Sequence, residues 1–318
     1  MRPILVTGAA GFAGSHLVDQ LLAEREPVVA WDRTSTPDAR RSASADRRAA
    51  RGMVIDLLDR QAVAAALVDV RPRIIFHCAG AAQVASSWRD MEGVLQANVL
   101  ATHHLLDATR RARLDARILV TGSALVYRPS ADALTESHPL GPSNPYGVSK
   151  LAQEMVAFDA AREGLDVVVV RPFNHIGPRQ QPTFATSSFA RQIALAEAGR
   201  IPPVLKVGRL DARRDVTDVR DTVRAYRRLA ERGRPARPYN VCSGHAPSIG
   251  ELLDRLLARA RIDVRIEEDA ALFRPSDNPV VLGDPGRIRE ETGWEPQIPI
   301  DRTLHDLLEY WRAVVDAG

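Results

Sequence analysis

This sequence predicts a doubly wound α/β fold, in which a parallel sheet carries a dinucleotide site and a smaller lobe is interleaved with it. Three observations carry that reading. Glycines spaced as GxxGxxG stand between an apolar strand and a helical pattern in Thr7-Gly8-Ala9-Ala10-Gly11-Phe12-Ala13-Gly14. Short apolar runs then alternate with helical patterns as far as residue 173, the pattern of a parallel sheet with helices on both faces. Val167, Val168, Val169 and Val170 form an unbroken β-branched run, as a strand covered on both faces requires. After residue 173 the alternation breaks and prolines multiply, at Pro178, Pro182, Pro202 and Pro203. The expected division is therefore 1–173 with 215–245 for the dinucleotide domain, and 174–214 with 246–318 for the second lobe.

The first strand is Ile4-Leu5-Val6, and Leu17, Val18, Leu21 and Leu22 mark the helix after the turn. Gly8 and Gly11 let the chain turn tightly and let backbone N–H groups approach a pyrophosphate at the start of that helix, beside Phe12 and Ala13. The second strand, Val28 to Trp31, ends in Asp32. It lies about 20 residues past the glycines, where an acid holds the adenosine ribose hydroxyls. Arg33 follows and could instead receive a 2′-phosphate, so the reading leans to NAD(H) and leaves NADP(H) open. Met53-Val54-Ile55 delivers Asp56 and Leu57 to the flank of the adenine, and a helix follows from Arg60 to Val68. Ile74-Ile75-Phe76 opens onto His77-Cys78-Ala79-Gly80, where the small residues Cys78, Ala79 and Gly80 let the backbone lie against the cofactor. His77 has no second ligand at metal spacing, and His103 and His104 point apart on one helix, so no metal site is expected. Asn98 falls near the start of the helix running from Val94 to Ala112, and Ile118-Leu119-Val120 ends in Thr121-Gly122-Ser123.

Ser143-Asn144-Pro145-Tyr146-Gly147-Val148-Ser149-Lys150 reads as a helix start, with Asn144 as cap and Pro145 at the first helical position. Tyr146 and Lys150 then stand one turn apart on one face. A phenol holds its proton to a pKa of about 10, and a neighbouring cation favours the phenolate, so the pair can serve as a general acid or base. A bare YxxxK pair suits an ordinary surface helix better than a catalytic site. The composition adds a pointer: the chain has two lysines, Lys150 and Lys206, among 43 basic residues. Downstream, helical patterns span 187–198, 249–260 and 303–315, the segment 213–221 opens another helix, and Pro238 to Cys242 reads as a strand returning to the sheet.

The bulk properties narrow the function classes. With 318 residues, 45% hydrophobic and 26% charged, the chain has an ordinary globular composition and room for two lobes. A net charge of +3 is too small to argue for nucleic acid, and the basic run from Arg40 to Arg51 alternates with Ala, Ser and Asp as a solvated loop does. Cys78 and Cys242 end apolar runs and read as buried thiols, which suits a reducing cytoplasm. No apolar run is long enough for a membrane span, and the stretch before Gly8 is too short for a signal peptide.

GxxGxxG at the N-terminus, Asn98, Ser123 and Tyr146 with Lys150 together resemble the extended short-chain dehydrogenase/reductase family with a Rossmann domain, acting on nucleotide sugars. The likeness extends over essentially the whole chain. Arg171-Pro172-Phe173-Asn174-His175-Ile176-Gly177-Pro178, Lys206-Val207-Gly208, Tyr239-Asn240-Val241-Cys242-Ser243-Gly244 and Arg274-Pro275-Ser276-Asp277 resemble the GDP-4-keto-6-deoxymannose reductases. The resemblance implies that a reduced nicotinamide delivers hydride to C4 of a GDP-linked 4-keto-6-deoxyhexose. Tyr146 would protonate the oxygen, Ser123 would hydrogen-bond it, and Lys150 would lower the tyrosine pKa and hold the nicotinamide ribose. It also implies cofactor contacts for Asn98 and Phe173, sugar-nucleotide contacts for Asn174, Lys206, Arg214 and Arg274, and a homodimer through the helices at Tyr146 and Val94. Family dehydratases carry a glutamate two positions after the catalytic Ser/Thr, where this chain has Leu125; leucine cannot move a proton. A 4-epimerase that retains NAD, a dehydratase with relocated acids and a non-catalytic dinucleotide sensor stay open as alternatives.

Overall fold

The apolar runs become the strands of one sheet, whose order fixes where ligands can bind. The computed structural model describes residues 1–33, 50–273 and 278–318. Numbered along the chain, the strands are β1 (Ile4–Thr7), β2 (Val28–Asp32), β3 (Arg51–Val54), β4 (Ile74–His77), β5 (Arg117–Thr121), β6 (Asp166–Pro172), β7 (Asn174–Ile176), β8 (Val204–Val207), β9 (Arg213–Arg214), β10 (Val216–Asp218), β11 (Pro238–Val241), β12 (Arg265–Glu268) and β13 (Val280–Val281). The helices are α1 (Phe12–Ala23), α2 (Arg60–Val70), α3 (Val84–Ser87), α4 (Met91–Leu95), α5 (Ala101–Arg111), α6 (Pro145–Arg162), α7 (Ala185–Glu197), α8 (Val219–Arg232), α9 (Ile249–Leu257), α10 (Gly286–Thr292) and α11 (Ile300–Asp316). The main sheet has seven strands in the order β11-β6-β5-β4-β1-β2-β3, all pairs parallel. Strand order reverses between β1 and β4, and a doubly wound sheet opens a crevice at the carboxyl ends there. Thr7 and His77 are paired, so the two strands end level.

Alternation along the strands divides the core between the two faces. Ile4, Val6, Phe76 and Val170 pack with Leu17, Leu21, Tyr226 and Leu229 of α1 and α8. Leu5, Ile75, Val120 and Val169 pack with Leu67, Leu105 and Ala157 of α2, α5 and α6. A separate cluster joins Ile193, Leu205, Leu252, Leu304 and Trp311 of α7, β8, α9 and α11. Two-stranded pairs, β10 with β7, β12 with β8 and β13 with β9, lace the chain together beyond β6.

Three segments differ from the sequence reading. The expected helix over 94–112 is broken by a π segment, Gln96–Leu100, between α4 and α5. The segment 213–221 spends five of its first six residues on β9 and β10, because pairing with β13 and β7 engages their backbone groups. The helix begins only at Val219, where Asp218 caps it through the Arg220 N–H at 2.7 Å. α10 was not expected, since its seven residues carry little apolar periodicity.

One buried ion pair fixes α6 against the sheet. Arg171 on β6 and Glu154 on α6 are 2% and 1% exposed. Arg171 donates through Nε to Glu154 Oε2 at 2.9 Å, and its Nη2 bonds Glu154 Oε1. Nη1 donates to the Tyr127 hydroxyl at 2.8 Å, which donates to Asn240 Oδ1 at 2.7 Å. Removing one partner of such a pair leaves an uncompensated buried charge. Glu154→Ala should therefore lose about 3–5 kcal/mol in urea unfolding, whereas the double change Arg171→Met with Glu154→Leu should lose far less. A Glu154→Ala midpoint equal to the wild type would contradict this account.

Candidate active site

The glycine turn is forced by close backbone approach. Gly8 sits at φ +66, and a Cβ there would lie 2.7 Å from the Ala79 backbone after β4. At Gly14 a Cβ would lie 2.1 Å from the Gly8 carbonyl oxygen. α1 starts at Phe12 with Gly11 as its N-cap residue, no side chain caps it, and its first turn holds no acid. Its leading N–H groups therefore face outward for an anion. Asp32 ends β2, and both its carboxylate oxygens accept from the Ala10 N–H, at 2.8 and 3.0 Å. The acid expected at the ribose is thus also a brace for the glycine turn. Gly80, at φ +155, leaves no room for a side chain: a Cβ would lie 2.5 Å from Asn98 Oδ1.

A cleft of about 700 Å³ opens at the reversal point. Of the expected residues, Gly11, Phe12, Ala13, Arg33, Cys78, Gly80, Ser123, Tyr146, Lys150, Phe173, Asn174 and Arg214 line it. Gly8 and Ala79 stand behind the wall, backbone against backbone. Asn98 is buried in the π segment, accepts from the Ala81 N–H at 2.9 Å and donates to Ser149 Oγ at 2.9 Å. Asp56 is exposed and accepts from the Leu58 N–H, while Leu57 is buried and its carbonyl meets His104 Nδ1. Lys206 is exposed on β8 and is not among the lining residues. Arg274, like Arg40 to Arg48 of the basic run, lies outside the described residues.

The cleft also holds residues that the sequence reading quoted only within motifs or did not single out. His175 stacks on Phe12 with ring centroids 5.5 Å apart and planes 5° from parallel, so β7 contacts the start of α1. Arg179 lines the cleft and donates to Asp19 at 2.7 Å. The nearest sequence signal was the polar run 174–181, which has no periodicity of its own.

Asn144 caps α6 by accepting from the Gly147 N–H at 2.8 Å, and this start points Tyr146 and Lys150 into the cleft. Tyr146 shares a hydrogen bond with Ser123, whose Oγ also accepts from the Leu125 N–H at 3.1 Å. Lys150 Nζ lies 5.9 Å from the centroid of the Tyr146 ring. It donates to the Thr121 carbonyl at 3.0 Å and to Gln153 Oε1 at 2.9 Å. The electrostatics correct the sequence reading. Burial pushes the Tyr146 phenol up to about 12, against the lowering by Ser123. Burial also brings Lys150 down to about 8. In the chain alone, desolvation of the phenol outweighs the Ser123 hydrogen bond at Tyr146.

The donor set fits a bound dinucleotide: an uncapped helix start, glycines at each close approach, an acid at the end of β2 and a cation deep in the cleft. These features define the extended short-chain dehydrogenase/reductase class. More particularly, the chain belongs to the GDP-mannose 4,6 dehydratase family, whose model matches residues 5–307. It is 35% identical over 316 residues to the GDP-6-deoxy-D-mannose reductase of Pseudomonas aeruginosa, spanning 98% of both chains. It is 31% identical over 319 residues to the UDP-glucose 4-epimerase of Mycolicibacterium smegmatis, covering 97% of this chain and 98% of that one. Among solved structures, that of RMD from Pseudomonas aeruginosa complexed with NADPH aligns with a TM-score of 0.85 at 34% identity, covering 99% of this chain and 100% of that one.

His77 yields an acid-stability prediction. Its ordinary value is 6.5, and burial, with the Lys150 charge second, brings it down to about 3 in the fold. Between those values the unfolded chain binds more protons, so stability is full above 6.5 and is lost as pH falls towards 3. Urea midpoints of His77→Gln should start lower at neutral pH and fall less steeply through that window. A slope equal to the wild type would show that His77 does not titrate on unfolding.

Proposed function

We propose that this chain is an NAD(P)H-dependent reductase of a nucleotide-linked 4-keto-6-deoxyhexose, with GDP as the favoured nucleotide. The observation that carries the choice of reaction is Leu125. It lines the cleft beside Ser123, Tyr146 and Lys150, where a dehydratase needs an acid. The similarity to the Pseudomonas aeruginosa reductase, and the NADPH complex of RMD, support both reaction and cofactor.

In this reading residues 1–173 and 215–245 hold the dinucleotide, and residues 174–214 and 246–318 hold the sugar nucleotide. Gly8, Gly11, Phe12 and Ala13 would receive the diphosphate, Asp32 and Arg33 the adenosine ribose or its phosphate, and Asp56 and Leu57 the adenine. Cys78, Gly80 and Phe173 would line the cofactor site directly, with Ala79 and Asn98 supporting that backbone from behind. When bound, the reduced nicotinamide supplies a hydride to the keto carbon. Tyr146 would give its phenolic proton to the oxygen of that carbon, which stays on the ring as a hydroxyl and leaves Tyr146 as the phenolate. A phenol held near 12 is protonated at neutral pH, the state a proton donor needs. Ser123 hydrogen-bonds the same oxygen, and the Lys150 charge stabilises the phenolate that remains. Asn174, Lys206, Arg214 and Arg274 are assigned to the sugar nucleotide by their match to family positions, of which Asn174 and Arg214 line the cleft; for the two arginines, planar guanidinium forks suit a diphosphate.

The similarity to a 4-epimerase favours a second reading, with the same three residues and a retained NAD. A donor phenol suits net reduction better, since an epimerase must also take a proton. We further propose a homodimer built on α6 and the π segment, where Leu100, Val148 and Met155 are 46%, 42% and 63% exposed. Two free cysteines suit a reducing cytoplasm.

Purified protein given NADPH or NADH with GDP-4-keto-6-deoxymannose should consume the cofactor. Tyr146→Phe should lose about 10²–10⁴-fold in kcat with cofactor affinity kept. No consumption of either cofactor would overturn the reductase reading. Tightly retained NAD without net oxidation would favour the epimerase.

A further inference from the structure

Lys150 is 4% exposed, and its ammonium carries three N–H donors that a buried site must satisfy. The Thr121 carbonyl and Gln153 Oε1 take two of them, which leaves one for the cleft. Gln153 is fully buried on α6, one turn beyond Lys150. Its other end donates through Nε2 to Thr102 Oγ1 at 2.8 Å. Thr102 gives its own proton to the Asn98 carbonyl at 2.6 Å, in the π segment. Its oxygen must therefore accept from Gln153 and, at 2.8 Å, from His77 Nε2. Burial keeps His77 neutral, so its one proton is on Nε2 and its Nδ1 accepts from the Thr7 hydroxyl at 2.8 Å. Thr7 Oγ1 in turn accepts from the Ala79 N–H at 3.3 Å. One proton arrangement satisfies the chain from Thr7 to Lys150, and it fixes the Gln153 oxygen towards the ammonium.

We propose that Gln153 is a positioning residue: proton-ordered through Thr102, His77 and Thr7, its carboxamide fixes the Lys150 ammonium between the Thr121 carbonyl and the Tyr146 ring. The titratable groups that face the ammonium are Tyr146 on α6 and His77 and Cys78 at the end of β4. His77 is neutral in the fold, and burial pushes the Cys78 thiol up to about 12. No carboxylate among these groups opposes the burial of the cation. The neutral amide oxygen stabilises it instead, without adding a second titrating charge. Deprived of that oxygen, the ammonium keeps its burial and loses an acceptor, so it sheds its proton at lower pH. A carboxylate in the same place does the opposite.

The sequence makes this measurable, because Lys150 and Lys206 are its two lysines. The full chain labelled with ¹³Cε-lysine gives two resonances, and Lys206→Arg assigns them. In Gln153→Met the Lys150 titration midpoint should fall by about one pH unit. In Gln153→Glu it should rise by a similar amount, with the Lys206 midpoint unmoved in both. The alkaline limb of kcat/KM should move in the same directions while KM for the sugar nucleotide changes little. Gln153→Glu is nearly isosteric and carries the test alone if the methionine variant does not fold. A Lys150 midpoint unmoved in the folded variants would reduce Gln153 to packing and overturn the proposal. The resonance readout needs no substrate, so it fails or succeeds independently of the reductase reading.

Discussion

The burial of polar side chains along α6 is the constraint on which the rest of the site depends. Tyr146, Ser149, Lys150, Gln153 and Glu154 all lie at or below 9% exposure on this one helix. Each buried polar group must find a partner or cost more than the fold can bear. The partners come from four different elements. Thr121 is at the end of β5, Arg171 is on β6, Asn98 is in the π segment, and Thr102 is on α5. Satisfying α6 therefore sets the positions of the strand ends and of the π turn together. A π turn inserted into a helix re-aims its side chains and occurs often at functional sites. Here it lets Asn98 reach Ala81 while Thr102, beyond it, faces the interior.

The same burial decides the electrostatics of the site. A tyrosine and a lysine one turn apart suggest mutual activation, with the cation drawing the phenol down. Desolvation acts on both at once and in opposite senses: it disfavours the phenolate and disfavours the ammonium. The phenol is held protonated and the lysine is eased towards neutrality. A protein that supplies a proton to a developing alkoxide is served by the first, and the amide of Gln153 offsets the second. The crevice between β1 and β4 adds the remaining requirement, an uncapped helix start beside backbone that no Cβ could enter.

Much of this was legible in the chain. Asn144 and Pro145 announce the start of α6, the glycines announce the turn after β1, and four valines announce β6. In each case the signal is local, since a cap, a turn or a strand is decided by neighbouring residues. The π segment, the short strands β9 and β10, and α10 were not legible. A π turn leaves no composition signature, a two-residue strand exists only through its distant partner, and α10 spans two turns. The roles of His175 and Arg179 at the cleft were missed because β7 is a three-residue strand that exists through its partner β10, and Arg179 stands on the loop after it.

The sequence by itself determined the fold class, the glycine turn after β1, and the placing of Ser123, Leu125, Tyr146 and Lys150 along the chain. These follow from residue identity at fixed spacing, which no packing can alter. Tertiary structure alone decided how those residues titrate and what holds them. The hydrogen-bond chain from Thr7 through His77, Thr102 and Gln153 to Lys150 joins β1, β4, α5 and α6, elements far apart in sequence. Burial is likewise a property of the folded chain, and it is burial that sets the protonation of Tyr146 and Lys150.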